Sequence, residues 1–235
     1  MQQKNGILSS NVLKIIALVT MTIDHIGYLI FPEIAWLRLV GRLAFPIYAY
    51  FIAEGCKYTK NKLKYFALVC GLGIICQVVS YLFTKQTDFN ILITFSFSIV
   101  LIYLLQWFKA NLQNKDIKKS ILSGVLFVVS LTCIFILTYE KLSFSPISVD
   151  YGFFGILLPV FVSIFDNKTI KLIFFTIGLI LISLHYSLLQ WFSLLSVLFM
   201  FLYNGKRGKL KLKYLFYIYY PLHLVVLYFI QVFLI

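Results

Sequence analysis

Apolar windows of about 20 residues recur along nearly the whole chain, the length needed to cross roughly 30 Å of hydrocarbon at about 1.5 Å per helical residue. They fall at 12–31, 35–53, 64–83, 91–108, 119–138, 152–165, 169–185, 187–203 and 214–234, with short polar loops between them. A backbone in lipid must satisfy its own hydrogen bonds, so such windows fold as helices. The fold class is therefore all-α: a polytopic transmembrane bundle of about nine helices, the sixth one short. With 61% hydrophobic and only 12% charged residues in a chain of 235, the apolar surface exceeds what a water-soluble core could bury. No Gly/Ser-rich linker or low-complexity tract interrupts the windows, and residues 1–235 read as a single integral membrane domain. The first window reads as a retained helix, because it is long, carries Lys14, Asp24 and His25, and lacks a small-residue cleavage site.

The net charge of +13 would suggest nucleic acid in a soluble protein, but its distribution points to topology instead. Lys57, Lys60, Lys62 and Lys64 fill the second loop, and Lys109, Lys115, Lys118 and Lys119 the fourth. Lys168 and Lys171 flank the sixth, and Lys206, Arg207, Lys209, Lys211 and Lys213 the eighth. Lys4 and Lys14 belong to the same side, whereas the other side keeps Lys85 and Lys141, with Arg38 and Arg42 inside the second window. The positive-inside rule then predicts a cytoplasmic N-terminus and a C-terminus outside, with the bilayer rather than nucleic acid as partner. Cys56, Cys70, Cys76 and Cys133 show neither a disulfide framework nor a metal-ligand spacing, so no metal is expected.

Against this apolar background, Thr22-Ile23-Asp24-His25-Ile26-Gly27 places an acid next to an imidazole inside the first window. Ionisable residues at such depth are expensive and are functional by default. Arg38 and Arg42, four residues apart, share one helical face in the next window. Lys14 and His25 are eleven residues apart, which puts them on nearly one face with about 16 Å between them along the axis. Asn90, Asp150 and His185 fall at the same outer level as His25 and Arg42, and His223 lies nearer the middle of the last helix. The simplest construction is an outward-opening cavity lined by His25, Arg42, Asn90, Asp150 and His223, with Pro46, Pro159 and Pro221 kinking the helices around it. Plainer readings compete: Arg42 as the counter-ion of Asp24, Arg38 snorkelling to the interface, Glu54 and Lys57 as a boundary ion pair, and Asp150 as a helix N-cap.

Thr22 to Gly27, then Gly41-Arg42-Leu43-Ala44-Phe45-Pro46-Ile47-Tyr48 closing on Ala53-Glu54-Gly55, then Asp150-Tyr151-Gly152 with Gly155, and finally Tyr217 to Leu224 resemble the TraX family in order and spacing. That family is named for a conjugation protein that N-acetylates pilin, and it is similar to the membrane acyltransferases that include the heparan glucosaminide acetyltransferases and acyltransferase family three. The resemblance implies a multi-pass protein of the bacterial cytoplasmic membrane using acetyl-CoA or another acyl-CoA as donor, with His25 in the transfer role. Two positions depart from the pattern: Ser98 stands where a glycine is expected after Asn90 and Thr94, and Lys14 where the related acyltransferases often carry an arginine. Lysine keeps the charge without the bidentate geometry.

The expectation is an acyltransferase that moves an acyl group from cytoplasmic acyl-CoA to an amine or hydroxyl of an extracytoplasmic peptide, glycan or lipid-linked sugar. His25 acts as general base or transient acyl carrier, Asp24 or Asp150 orients its ring, and Arg42 or Asn90 stabilises the oxyanion. Lys14, Glu54, Lys57, Lys60, Tyr151 and His223 are candidates for binding CoA or substrate. The main alternative is a proton-coupled transporter or flippase with Asp24, His25 and Arg42 as its relay. A non-catalytic assembly subunit is the third reading, and the oligomeric state stays open.

Overall fold

The computed structural model describes residues 6–85, 87–138, 148–209 and 212–234, so Lys4, Lys141 and Lys211 lie outside the described residues. The chain forms α1 (Ser10–Leu29), α2 (Ala35–Gly41), α3 (Ala44–Tyr58), α4 (Lys62–Thr84), α5 (Ile91–Gln113), α6 (Ile117–Thr138), α7 (Gly152–Ile164) and α8 (Lys168–His185). A 3₁₀ segment (Leu188–Leu195) then leads into α9 (Ser196–Phe201), and α10 (Lys213–Leu234) closes the chain. Local sequence sets the starts. Ser9, Asn61, Asn90 and Asn167 each accept a hydrogen bond from a first-turn amide of the helix that follows, which satisfies a donor the helix cannot satisfy itself.

Among the described residues, six helices are long and apolar enough to cross a membrane: α1, α4, α5, α6, α8 and α10. The chain is a multi-pass membrane protein on this ground. All nine windows are helical, but three depart from a simple span. The window at 35–53 breaks between α2 and α3, where Pro46 has no N–H for the Arg42 carbonyl and its ring crowds that carbonyl. The expected kink is therefore a full break, with Pro46 in the first turn of α3. The sixth window gives the 13-residue α7. The eighth is half 3₁₀, a geometry that marks strain or function when it runs this long.

The short elements form the centre. α3 packs on α7, α1 and α5, and α7 on α5 and α8, and Ile47, Ala49, Ile99, Leu101, Ile156, Leu158, Phe175 and Leu179 are fully buried there. Lipid removes most of the hydrophobic drive for helix association, so close van der Waals packing at small residues must supply it. Gly178 shows the closeness: a Cβ there would sit 2.7 Å from Leu158 Cδ1, across α8 and α7. Ser98, at the unexpected non-glycine position, is fully buried and donates to Ile156 O at 2.7 Å, joining α5 to α7. α6 lies at the edge and exposes Ile121, Leu122, Val125, Val128 and Val129.

Alternate loops gather at opposite ends. At the basic end, Ser10 and Asn11 amides donate to Lys206 O and Arg207 O at 2.8 and 3.1 Å. Lys109 reaches the Ser163 carbonyl at 3.2 Å, and Lys168 the Phe201 and Tyr203 carbonyls at 2.7 and 2.8 Å. These lysines neutralise helix C-termini as well as marking one end. At the other end, Phe89 pairs with Val149, and the Asp150 amide donates to Phe89 O at 3.0 Å.

Candidate functional site

A cavity of about 1090 Å³ runs through the bundle between these two ends. Lys14, Glu54 and Arg207 line it toward the basic end; Asp24, Arg42, Asp150 and Tyr186 line it toward the other; His25 is on its wall between them. The size matches sites for drug-sized or larger ligands. Of the sequence candidates, Asp24, His25, Arg42, Asn90, Asp150, Lys14, Glu54 and Tyr151 line it, whereas Lys57, Lys60 and His223 do not.

His25 meets its neighbours through one nitrogen. Nδ1 lies 3.0 Å from the Met21 carbonyl and 3.1 Å from His223 Nε2, with the ring centroids 5.0 Å apart. His223 is thus not a wall residue but backs His25. It is 6% exposed, stacks on Tyr219 at 5.3 Å and places its own Nδ1 3.0 Å from Tyr219 O. Neither Asp24 nor Asp150 holds the His25 ring, which corrects the expected triad-like arrangement. Asp150 is used locally: its carboxylate accepts from the Ile91 amide, while its backbone carbonyl accepts from Thr94 Oγ1 at 2.9 Å and its backbone amide donates to Phe89 O. Nor is it the N-cap of α7, a place taken by Tyr151 in a left-handed conformation with φ 59°.

Asp24 pairs with Arg38, whose Nη1 is 2.7 Å from Oδ2 and 3.2 Å from the Asp24 carbonyl. Arg38 therefore does not snorkel, and it lies over the Tyr28 ring at 5.0 Å. Arg42 is not the counter-ion. The break after α2 turns it toward α7, where Nη1 donates to Tyr151 Oη at 3.3 Å. Tyr151 is held by stacking on Phe45 at 3.9 Å. Two polar atoms here are buried without a partner among the described residues, Asp24 Oδ1 and Arg42 Nε. Gly41 is what lets Asp24 in, since a Cβ at that position would overlap the Asp24 carboxylate.

Asn90 is fully committed: Oδ1 caps α5 through Leu92 N at 3.0 Å, and Nδ2 donates to Gly73 O at 2.7 Å and Gln77 Oε1 at 3.2 Å. It has no donor left for an oxyanion. Glu54 pairs with Lys171 at 2.7 Å rather than with Lys57, which bonds Asp166. That bond holds the Asp166 carboxyl below the usual carboxylate range. Among the described residues Lys14 has no carboxylate partner, and it sits over the Phe51 and Phe216 rings at 5.1 and 5.7 Å.

Gln190, in the 3₁₀ segment, is a residue that sequence reasoning missed. It lines the cavity, is 2% exposed, and its Nε2 has no partner among the described residues. An amide side chain in an otherwise apolar and serine-containing window was the available signal.

Fold and site together define a multi-pass helical membrane protein with a cavity that reaches toward both ends of the bundle and carries charged residues at each. The chain belongs to the TraX family, described as TraX protein, which matches residues 9–231. It is similar to a protein of Dichelobacter nodosus called probable fimbrial assembly protein FimC, serogroup H1, at 26% identity over 92% of each chain. It is also similar to the uncharacterized protein RP591 of Rickettsia prowazekii, at 35% identity over 36% of this chain and 32% of that one. No solved structure matches.

Proposed function

We propose that the protein is an acyltransferase of the bacterial cytoplasmic membrane, with acetyl-CoA or another acyl-CoA as donor. The observation that carries this reading is His25: a histidine on the wall of a through-bundle cavity, with its Nε2 free of protein partners among the described residues, and with Arg42, whose Nε is buried without a partner among those residues, lining the same cavity. Acyl-CoA enters from the basic end, which the positive-inside rule makes cytoplasmic. Lys14 and Arg207 receive its phosphates, because both line the cavity and neither is neutralised by a carboxylate among the described residues. Lys57 is a poorer candidate, being tied to Asp166.

His25 Nε2 takes the proton from the acceptor amine or hydroxyl as its lone pair attacks the thioester carbonyl. The C–N or C–O bond forms, Arg42 stabilises the oxyanion, the C–S bond breaks, and the proton passes from His25 to the leaving thiolate. The acceptor arrives from the other end as an exported peptide, an envelope glycan or a lipid-linked sugar. The fimbrial name of the Dichelobacter relative makes a fimbrial subunit one such acceptor to try. The test is to incubate envelopes containing the protein with acetyl-labelled acetyl-CoA and to look for labelled envelope material that disappears with His25→Ala.

One observation favours a second reading. The α2/α3 break and the 3₁₀ segment are both interruptions of expected spans, and α2 packs on the 3₁₀ segment. Paired interruptions occur in transporters. Proton flux through proteoliposomes that depends on Asp24 and His25, without acetyl-CoA turnover, would select it.

A further inference from the structure

The histidine pair carries more than proximity, because two carbonyls fix the protons on it. A carbonyl oxygen only accepts, so the 3.0 Å contact of His223 Nδ1 with Tyr219 O puts a hydrogen on Nδ1 and leaves Nε2 of the neutral ring as a lone pair. The 3.0 Å contact of His25 Nδ1 with Met21 O likewise puts a hydrogen on that nitrogen. The rings meet at 3.1 Å between His25 Nδ1 and His223 Nε2, so a donor faces an acceptor. Constraints imposed separately by α1 and α10 agree on one arrangement.

We propose that His223 is a positioning residue that holds His25 in the Nδ1–H tautomer, leaving Nε2 as the lone pair available to the cavity. The consequence for turnover rests on the acyl-transfer reading above; the tautomer itself does not. When Nε2 accepts a proton, Nδ1–H already faces two acceptors, Met21 O and His223 Nε2, so the imidazolium is stabilised without rearrangement. In Ser-His-Asp sites a carboxylate does this. Here Asp24 is committed to Arg38 at 2.7 Å, and no carboxylate is hydrogen-bonded to either ring among the described residues. A neutral imidazole is the replacement. The packing that holds it is specific: His223 is sandwiched by stacking on Tyr219 and by the edge of Tyr220 at 5.5 Å. Tyr219 Oη in turn lies 2.8 Å from Thr22 Oγ1, which pins α10 to α1 one turn from His25.

The chain has three histidines, so ¹⁵N-histidine labelling of the full protein in micelles gives a spectrum that single substitutions assign. Wild type is expected to show His25 with a pyrrole-like Nδ1 and a pyridine-like Nε2. His223→Phe keeps a ring in the pocket and removes one of the two acceptors that face His25 Nδ1–H; with Met21 O alone the Nε2–H tautomer is expected to gain population, with acetyl-CoA turnover in the presence of envelope acceptor falling on the order of 10- to 100-fold, as for other groups that orient a reacting ligand. His223→Gln, which presents an amide oxygen near the Nε2 position, is expected to restore both. A wild-type His25 protonated at Nε2 would overturn the proposal, and so would unchanged His25 signals in His223→Phe. If the tautomer shifts as expected but no variant, wild type included, turns over acetyl-CoA, then the positioning role stands and the acyl-transfer reading fails.

Discussion

Replacing Arg38 by Met separates the counter-ion seen in the structure from the one the sequence suggested. Asp24 sits with its side chain 19% exposed and Arg38 with 24%, and their bond is 2.7 Å. Asp24 Oδ1 is already without a partner among the described residues, so losing Arg38 leaves a carboxylate with neither side-chain oxygen paired there. Breaking a buried pair by removing one partner costs about 3–5 kcal/mol, whereas an ordinary hydrogen bond between membrane helices is worth only about 0.6 kcal/mol on average. Partial exposure argues for the lower end, about 3 kcal/mol. At about 2–4 °C per kcal/mol for a chain of this size, Tm in detergent should fall by about 6–12 °C. Arg42→Met, which removes a 3.3 Å bond to Tyr151, should cost less. Asp24→Asn removes the charge that Arg38→Met strands, so the double variant should recover about half the loss. A Tm for Arg38→Met within about 2 °C of wild type, or a larger drop for Arg42→Met, would refute the pairing.

Gly41→Ala should destabilise by about 1–3 kcal/mol, since its Cβ overlaps the Asp24 carboxylate, and thermal melts read this directly. Gln190→Leu removes a buried Nε2 that has no partner among the described residues, whose cost is about 1–3 kcal/mol; the protein should hold or raise its Tm in detergent melts. Asp166, held below the usual carboxylate range by Lys57, contributes stability that is present above its unfolded pKa and is lost as pH falls through the lower folded value. Melts of wild type and Asp166→Asn should therefore differ near pH 6 and converge on acidification below about pH 4.

The spans were legible because apolar length and loop charge are properties of composition, and one end of the bundle does collect the lysine-rich loops. The breaks were not. Pro46 was visible, but whether it would kink or sever its helix depends on α1 and α7 accepting the turned chain, with Arg42 going to Tyr151. Helical spacing put Arg38 and Arg42 on one face; the break sends them to different partners. Intramembrane cost picked out His25 and Asp24, but it is blind to which polar atoms meet. The distance from His25 to His223 spans nearly the whole sequence and arises only when α10 packs on α1. The same blindness made Asn90 look available, although capping α5 and bonding α4 use its whole side chain.

The most direct test of the central claim follows thiol release from acetyl-CoA by the purified protein in proteoliposomes supplied with envelope extract as the acyl acceptor, wild type beside His25→Ala, with Tm measured on both. Release by wild type that drops to background in a His25→Ala protein of unchanged Tm is the predicted result; equal release from both would contradict the role assigned to His25.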